Sequence, residues 1–168
     1  MNTLEVINQY GDEYSLPPRF TRIGCRAIIV ENGKILLSHE VNTGVYLTPG
    51  GGLESAETNA DCVVREVLEE TGYLVKVVSP FVIVDEYYYD KLFVSNYFIC
   101  ETAGKEKQSL TETEILHGVT PEWVGLEKAL EIFGTYEDII DEELAAQYKR
   151  EFTVLNKYRS TQELYNET

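Results

Sequence analysis

The sequence predicts an α/β domain, and three observations carry that expectation. Ala60, Val63, Val64, Val67, Leu68 and Thr71 recur at helical spacing between a Thr58 cap and a terminal Gly72. Arg22 to Glu31 alternates, then becomes continuously apolar before an Asn32-Gly33 hairpin signal, with Lys34 to His39 as the return strand. Leu74 to Asp85 and Lys91 to Glu101 have strand character, while Asp138 to Tyr158 places Ile140, Leu144, Tyr148, Phe152 and Leu155 on one helical stripe. At 168 residues and 43% hydrophobic content the chain suits one domain with its own core. The expected division is an extension over 1–20, the domain over 21–160 and a tail over 161–168.

Taken in order, Met1 to Pro18 holds a short strand around Leu4–Ile7 and then turn residues, an extension open to use as an arm or dimer contact. Residues Leu74 to Asp85 read as two strands or as one strand bent at Pro80. Glu86-Tyr87-Tyr88-Tyr89 follows; successive strand side chains alternate, so not all three rings face the core and at least one is left to stack on a nucleobase. A turn at Tyr89-Asp90-Lys91 leads back into the next strand. Ser109 to His117 is a polar connection containing Glu112 and Glu114. Leu126–Phe133 reads as a short helix, and the long helix after it as core packing or a dimer face.

Composition removes several function classes. A net charge of −15 and a pI near 4.5 leave no basic footprint for a nucleic acid polymer. Cys25, Cys62 and Cys100 are dispersed without a C-x-x-C pair, against a disulfide framework or zinc site. Neither a signal pattern nor a membrane-length apolar run is present, so a cytoplasmic location and no membrane partner are expected.

The chemistry concentrates at Leu47 to Tyr73. Glu66, Glu69 and Glu70 stand at i, i+3 and i+4, so their carboxylates are expected to meet on the face opposite the apolar stripe. Like charges at that spacing cost roughly 0.2–0.5 kcal/mol per pair, and acids in a last turn cost about 0.3–1 kcal/mol each against the helix dipole. A solvated face chosen for stability would carry Lys instead. A divalent cation would compensate, since clustered carboxylates are hard ligands of the kind Mg²⁺ and Mn²⁺ prefer. Pro49-Gly50-Gly51-Gly52 adds a loop without Cβ atoms, whose carbonyls suit a metal and whose amides suit phosphate oxygens.

Gly51, Glu57, Arg65, Glu66, Val67, Glu69, Glu70 and Gly72 fall at the spacing of the Nudix box, G-x5-E-x7-R-E-U-x-E-E-x-G-U, where U is a bulky aliphatic residue. Only Tyr73, at the final U, departs. The chain resembles Nudix hydrolases of MutT-like architecture, which implies an α/β/α sandwich with a mixed sheet. It also implies water attack on phosphorus in a nucleoside diphosphate linked to another moiety: a nucleoside triphosphate, dinucleoside polyphosphate, ADP-ribose or nucleotide sugar. By resemblance, Glu66, Glu69, Glu70 and the Gly50 carbonyl hold Mg²⁺ or Mn²⁺, and Glu112 or Glu114 supplies an additional acid, with Glu114 taken as the metal ligand. Either Glu66 or Glu70 orients or deprotonates the water, and Arg65 holds a carboxylate in place with Glu57 as its partner. Arg22 and Arg26 share a strand face and are candidates to clamp phosphate, or are plain surface charge. His39 stands where the family often has Arg, Tyr46 where it often has Trp, and Trp123 lies in a family-like W-V-x-L ending. Tyr89 fits the position that accompanies dinucleoside polyphosphate hydrolysis. A sensing module without turnover would be expected to lack box acids, and none is missing. A diphosphate isomerase would need a catalytic Cys, which has no obvious counterpart here. A homodimer is an open possibility.

Overall fold

The computed structural model describes residues 3–166. In chain order the elements are β1 (Val6–Tyr14), β2 (Phe20–Ile28), β3 (Val30–Glu31), β4 (Lys34–Glu40), β5 (Val45–Leu47) and β6 (Gly50–Gly52). Helix α1 (Asn59–Thr71), strands β7 (Tyr73–Tyr89) and β8 (Lys91–Lys105), α2 (Glu112–His117) and β9 (Val119–Gly125) follow. The chain closes with α3 (Leu126–Phe133), a 3-10 turn (Gly134–Asp138) and α4 (Glu142–Asn166).

A five-stranded mixed sheet has the order β1-β7-β8-β2-β6, with β1 parallel to β7 and β2 parallel to β8. In a second sheet β4 pairs β3 and β5 along one side and β9 along the other. Alternation along β2 divides the interior. Cys25 and Ala27 join Cys62, Val63 and Val67 of α1 on one face, while Ile28 joins Val82, Val84 and Tyr97 against Tyr148, Val154 and Leu155 of α4. Each valine, leucine or isoleucine among them contributes about 1.5–3 kcal/mol on full burial. The result is the expected α/β/α arrangement with helices on both faces of a mixed sheet.

Helix α1 starts and stops where its sequence says. The Thr58 hydroxyl accepts from the Asp61 N–H at 3.1 Å and the Asp61 carboxylate takes the Thr58 N–H, a complete capping box. Gly72, at φ 74°, donates to the Leu68 carbonyl at 2.8 Å. The carbonyls left over at this end meet the segment before α2: Ser109 N–H donates to Glu69, the Gln108 amide to Glu70, and Glu106 N–H to Gly72. Cys62, outside the expected stripe, is fully buried within it.

Several expectations need adjustment. The Arg22–Glu31 strand divides at Ile29, whose carbonyl accepts from Leu36 N–H as the chain passes into the second sheet. Strand β7 is one continuous strand whose register slips on both sides of Pro80, because proline cannot donate to the ladder. The presumed extension is an edge strand, longer than the Leu4–Ile7 segment expected, paired to β7 from Val6 to Tyr14. The final helix starts at Glu142 rather than Asp138; Ile140 precedes it and is 99% exposed, so it belongs to no stripe. Helix α4 also continues through the presumed tail to Asn166. Among the described residues no helix is long and apolar enough to cross a membrane.

A Cβ at Gly72 would stand 2.6 Å from the Glu106 carbonyl. Gly72→Ala is therefore expected to lower unfolding free energy by about 1–2 kcal/mol from the left-handed backbone alone, with the clash added to it, as read by urea denaturation.

Candidate active site

Two of the three glycines of strand β6, Gly50 and Gly51, are there for a steric reason. The strand pairs antiparallel with β2, setting Gly50, Gly51 and Gly52 opposite Arg26, Cys25 and Gly24. A Cβ at Gly50 would overlap the Cys25 carbonyl, and one at Gly51 would overlap the Glu66 carboxylate. Only a bare backbone lets α1 bring its acids this close. Gly50 N–H donates to Glu70 Oε2 at 2.9 Å.

Arg65 binds the remaining acids. Its Nε and Nη2 meet the two oxygens of Glu57 at 3.0 and 2.7 Å, the bidentate pair expected from the sequence. Nη1 donates to Glu66 at 2.7 Å and to Glu69 at 3.2 Å, and Nη2 also reaches the Gly52 carbonyl at 3.0 Å. Glu66, Glu69 and Glu70 therefore do not meet as one bare cluster on the far face of α1. Glu66 and Glu69 share Arg65 Nη1 while Glu70 takes the Gly50 N–H, and among the described residues no three acidic, His or Cys groups stand ready to share an ion.

Electrostatics show what the site lacks. Burial pushes the Glu70 carboxyl up to about 7, against the lowering effects of the Gly50 N–H and Arg26. Burial also raises Glu66, partly offset by Arg65 and reinforced by Glu69 and Glu114. Glu57 is held down at about 2, chiefly by its bonds to Arg65 and also by the Glu54 N–H. Four carboxylates with one guanidinium among them form an oxygen donor set short of positive charge. That chemistry fits a hard divalent cation. Glu114 acts on both Glu66 and Glu70, although its own carboxylate accepts the Thr111 N–H at 2.7 Å. Glu112 has no comparable tie to the site.

Gly51 also lines a cavity of about 610 Å³ between the large sheet and α4. Its floor is the sheet face that carries Arg22, Gly24 and Arg26 of β2, Glu86 and Tyr88 of β7, and Lys91, Phe93 and Ser95 of β8. Strand β1 supplies Gln9 and Gly11, and Tyr136 of the 3-10 turn faces it from the helical side.

The candidate phosphate and base residues fare differently. Arg22 lies on the cavity and makes no ion pair among the described residues. Arg26 also lines it, but its Nη1 is committed to the Thr48 carbonyl at 2.8 Å. His39 is elsewhere: it lies in the second sheet, stacked on Tyr46 at 4.0 Å with Nδ1 2.7 Å from Glu122, because β4 pairs with β5 and β9. Tyr89 is the last residue of β7, at φ 51°, set edge-on to Tyr88 and off the cavity. Of that triplet both Tyr87 and Tyr88 line the cavity, Tyr88 lying over Gly11 with its hydroxyl on Glu142 at 2.5 Å. Sequence reasoning missed Gln9, Phe93 and a buried network of Arg150, Glu151, Glu86 and Tyr97. A charged residue inside the apolar stripe, Glu151 between Tyr148 and Leu155, was the available signal for the last.

Comparison with known proteins agrees with this geometry. Residues 19–146 match the family model of the NUDIX domain. A MutT-like protein of Streptomyces ambofaciens is 28% identical over 121 residues, which is 72% of this chain and 77% of that protein. An ADP-ribose pyrophosphatase of Methanocaldococcus jannaschii is 46% identical over 55 residues, only 31% of this chain and 32% of that protein. Among solved structures, a NUDIX hydrolase from Nitrosomonas europaea superposes with a TM-score of 0.57 at 20% identity, over 79% of this chain and 88% of that one. An ADP-ribose pyrophosphatase from Streptococcus suis gives 0.55 at 22% identity, over 82% and 91%. At these identities the structures establish the fold alone.

The Arg65–Glu57 pair has a pH signature. The folded value of Glu57, about 2, lies below its ordinary 4.5, so its stabilisation is complete above 4.5 and is lost as the pH falls through about 2. The protein is expected to exceed its Glu57→Gln variant in denaturation midpoint at neutral pH, with the gap closing across that acid window. A gap unchanged by acid would deny Arg65 this hold on Glu57.

Proposed function

The chain belongs to the NUDIX domain family, matched over residues 19–146, and from that membership we propose that it is a metal-dependent pyrophosphohydrolase. Its substrate is a nucleoside diphosphate linked to another moiety, cleaved by water attack on phosphorus. One observation carries the reading: Gly51 both touches the Glu66 carboxylate and lines the large cavity, so the acids and the bound molecule share a single thin strand.

The chain's own groups divide the task. Arg65 fixes Glu57, Glu66 and Glu69 relative to the Gly52 carbonyl. Arg22 and Lys91 offer cations to phosphate oxygens, and Tyr88 and Phe93 offer flat faces to a base or sugar. Either Glu66 or Glu70 accepts the proton of the attacking water. Glu66, Glu69, Glu70 and the Gly50 carbonyl, with Glu114 at their margin, are the groups that would hold a divalent ion. What such an ion supplies when bound is neutralised pyrophosphate oxygens and a more acidic water.

Tyr89, turned away from the cavity, gives no support to dinucleoside polyphosphates. ADP-ribose is the first substrate to try, a choice supported by the 55-residue similarity to a protein named ADP-ribose pyrophosphatase. The acidic composition and three free thiols suit a cytoplasmic enzyme.

The deciding assay offers ADP-ribose, nucleoside triphosphates, dinucleoside polyphosphates and nucleotide sugars with Mg²⁺ or Mn²⁺. Cleavage of at least one, dependent on the ion, is expected. Glu69→Gln and Glu70→Gln should each lose activity by about 10²-fold or more, the scale of a positioned catalytic group, while remaining folded. Undiminished turnover in both would remove these acids from the mechanism. Arg22→Ala is expected to raise KM more than it lowers kcat, as measured by steady-state kinetics.

A further inference from the structure

Glu151 is fully buried in α4, within the stripe that packs on the large sheet. Both its oxygens lie 2.9 Å from the Thr48 hydroxyl, and one accepts the Thr48 N–H at 3.3 Å. The Tyr97 hydroxyl reaches it at 3.1 Å and Arg150 at 3.4 Å, with Arg26 at 3.9 Å. Stability alone does not account for this arrangement. Removing charges from water is costly, and a buried ionic network is often no better for stability than apolar residues of the same volume.

What the network does hold is the approach to β6. Thr48 is itself fully buried, and its carbonyl takes Arg26 Nη1 at 2.8 Å. The next carbonyl, that of Pro49, accepts the Ala27 N–H at 2.9 Å. The next amide, that of Gly50, is the one bonded to Glu70. Three consecutive residues are thus pinned in sequence, and the pin at Thr48 comes from α4 on the opposite face of the sheet from α1.

We infer that Glu151 is a positioning residue for the proposed hydrolysis, acting through Thr48 to fix the Gly50 amide against Glu70. The catalytic part of this statement rests on the pyrophosphohydrolase reading; the positioning part does not.

Three variants separate the possibilities: Thr48→Val, of the same shape without the hydroxyl; Thr48→Ser, which restores it; and Glu151→Gln. In metal-free protein, hydrogen exchange at the Gly50 amide should quicken on the order of tenfold in Thr48→Val, as expected when one hydrogen bond is lost, while the Val67 amide in α1 stays protected. Calorimetric titration with Mn²⁺ should show affinity weakened by about 10–100-fold, and kcat should fall with little change in KM. Thr48→Ser should recover all three. Glu151→Gln should match Thr48→Val; if it does not fold, Thr48→Val decides. Unchanged Gly50 exchange and Mn²⁺ affinity in Thr48→Val, with only a lower melting temperature, would overturn the inference. Failure of the unaltered protein to cleave any compound in the panel would instead strike the hydrolase reading and leave the exchange result to judge Glu151.

Discussion

The guanidinium of Arg65 is the constraint on which the acidic side of the molecule depends. A carboxylate-rich last turn is unfavourable on its own, through both like-charge repulsion and the helix dipole. Arg65 offsets that by joining Glu57 from the preceding loop, Glu66 and Glu69 from its own helix, and the Gly52 carbonyl from β6. A lysine ammonium has the charge but not the planar fork needed to satisfy such differently directed acceptors. Loop, helix and glycine strand therefore keep their mutual placement through one side chain, and Glu70 is left to the Gly50 amide.

The glycine strand stands between two charged systems of unlike character. At Gly50 to Gly52 it meets half-buried carboxylates that exceed their cations. At Thr48 it is anchored by Glu151 in a network where Arg150, bonded to Glu86 at 2.9 Å, keeps the charges nearly balanced. The first system suits binding an ion, the second suits holding shape. Their separation follows from the pleat: residues of β2 alternate between the α1 side and the α4 side, so each face acquires its own interior and its own polar set.

What was legible in the sequence was what local signals encode. The capping box at Thr58, the left-handed Gly72, the Asn32-Gly33 hairpin and the Arg65–Glu57 spacing all lie within a few turns of chain, and all appear as read. The places of His39, Arg26 and Tyr89 were not legible for a different reason. Their surroundings are set by pairings between distant segments: β4 with β9, Arg26 across to Thr48, and the pairing of Tyr89 at the end of β7 with Tyr14 of β1. No local pattern announces such pairings. Gln9 was hidden in the same way, since its place on the cavity floor depends on β1 finding β7. Glu151 stands between these cases: a carboxylate at a core-facing helix position is visible in the sequence, but its partner is not.

Strand β1 carries a kinetic consequence. It precedes β7 in the chain, and its register matches Val6 to Ile83 and Tyr10 to Tyr87, so it cannot dock until β7 exists. Closing so wide a loop is entropically slow compared with forming the β7–β8 hairpin or α1. One wall of the cavity is thus synthesised well before the strand that receives it, and until it docks the β7 edge offers unpaired backbone to whatever strand arrives first.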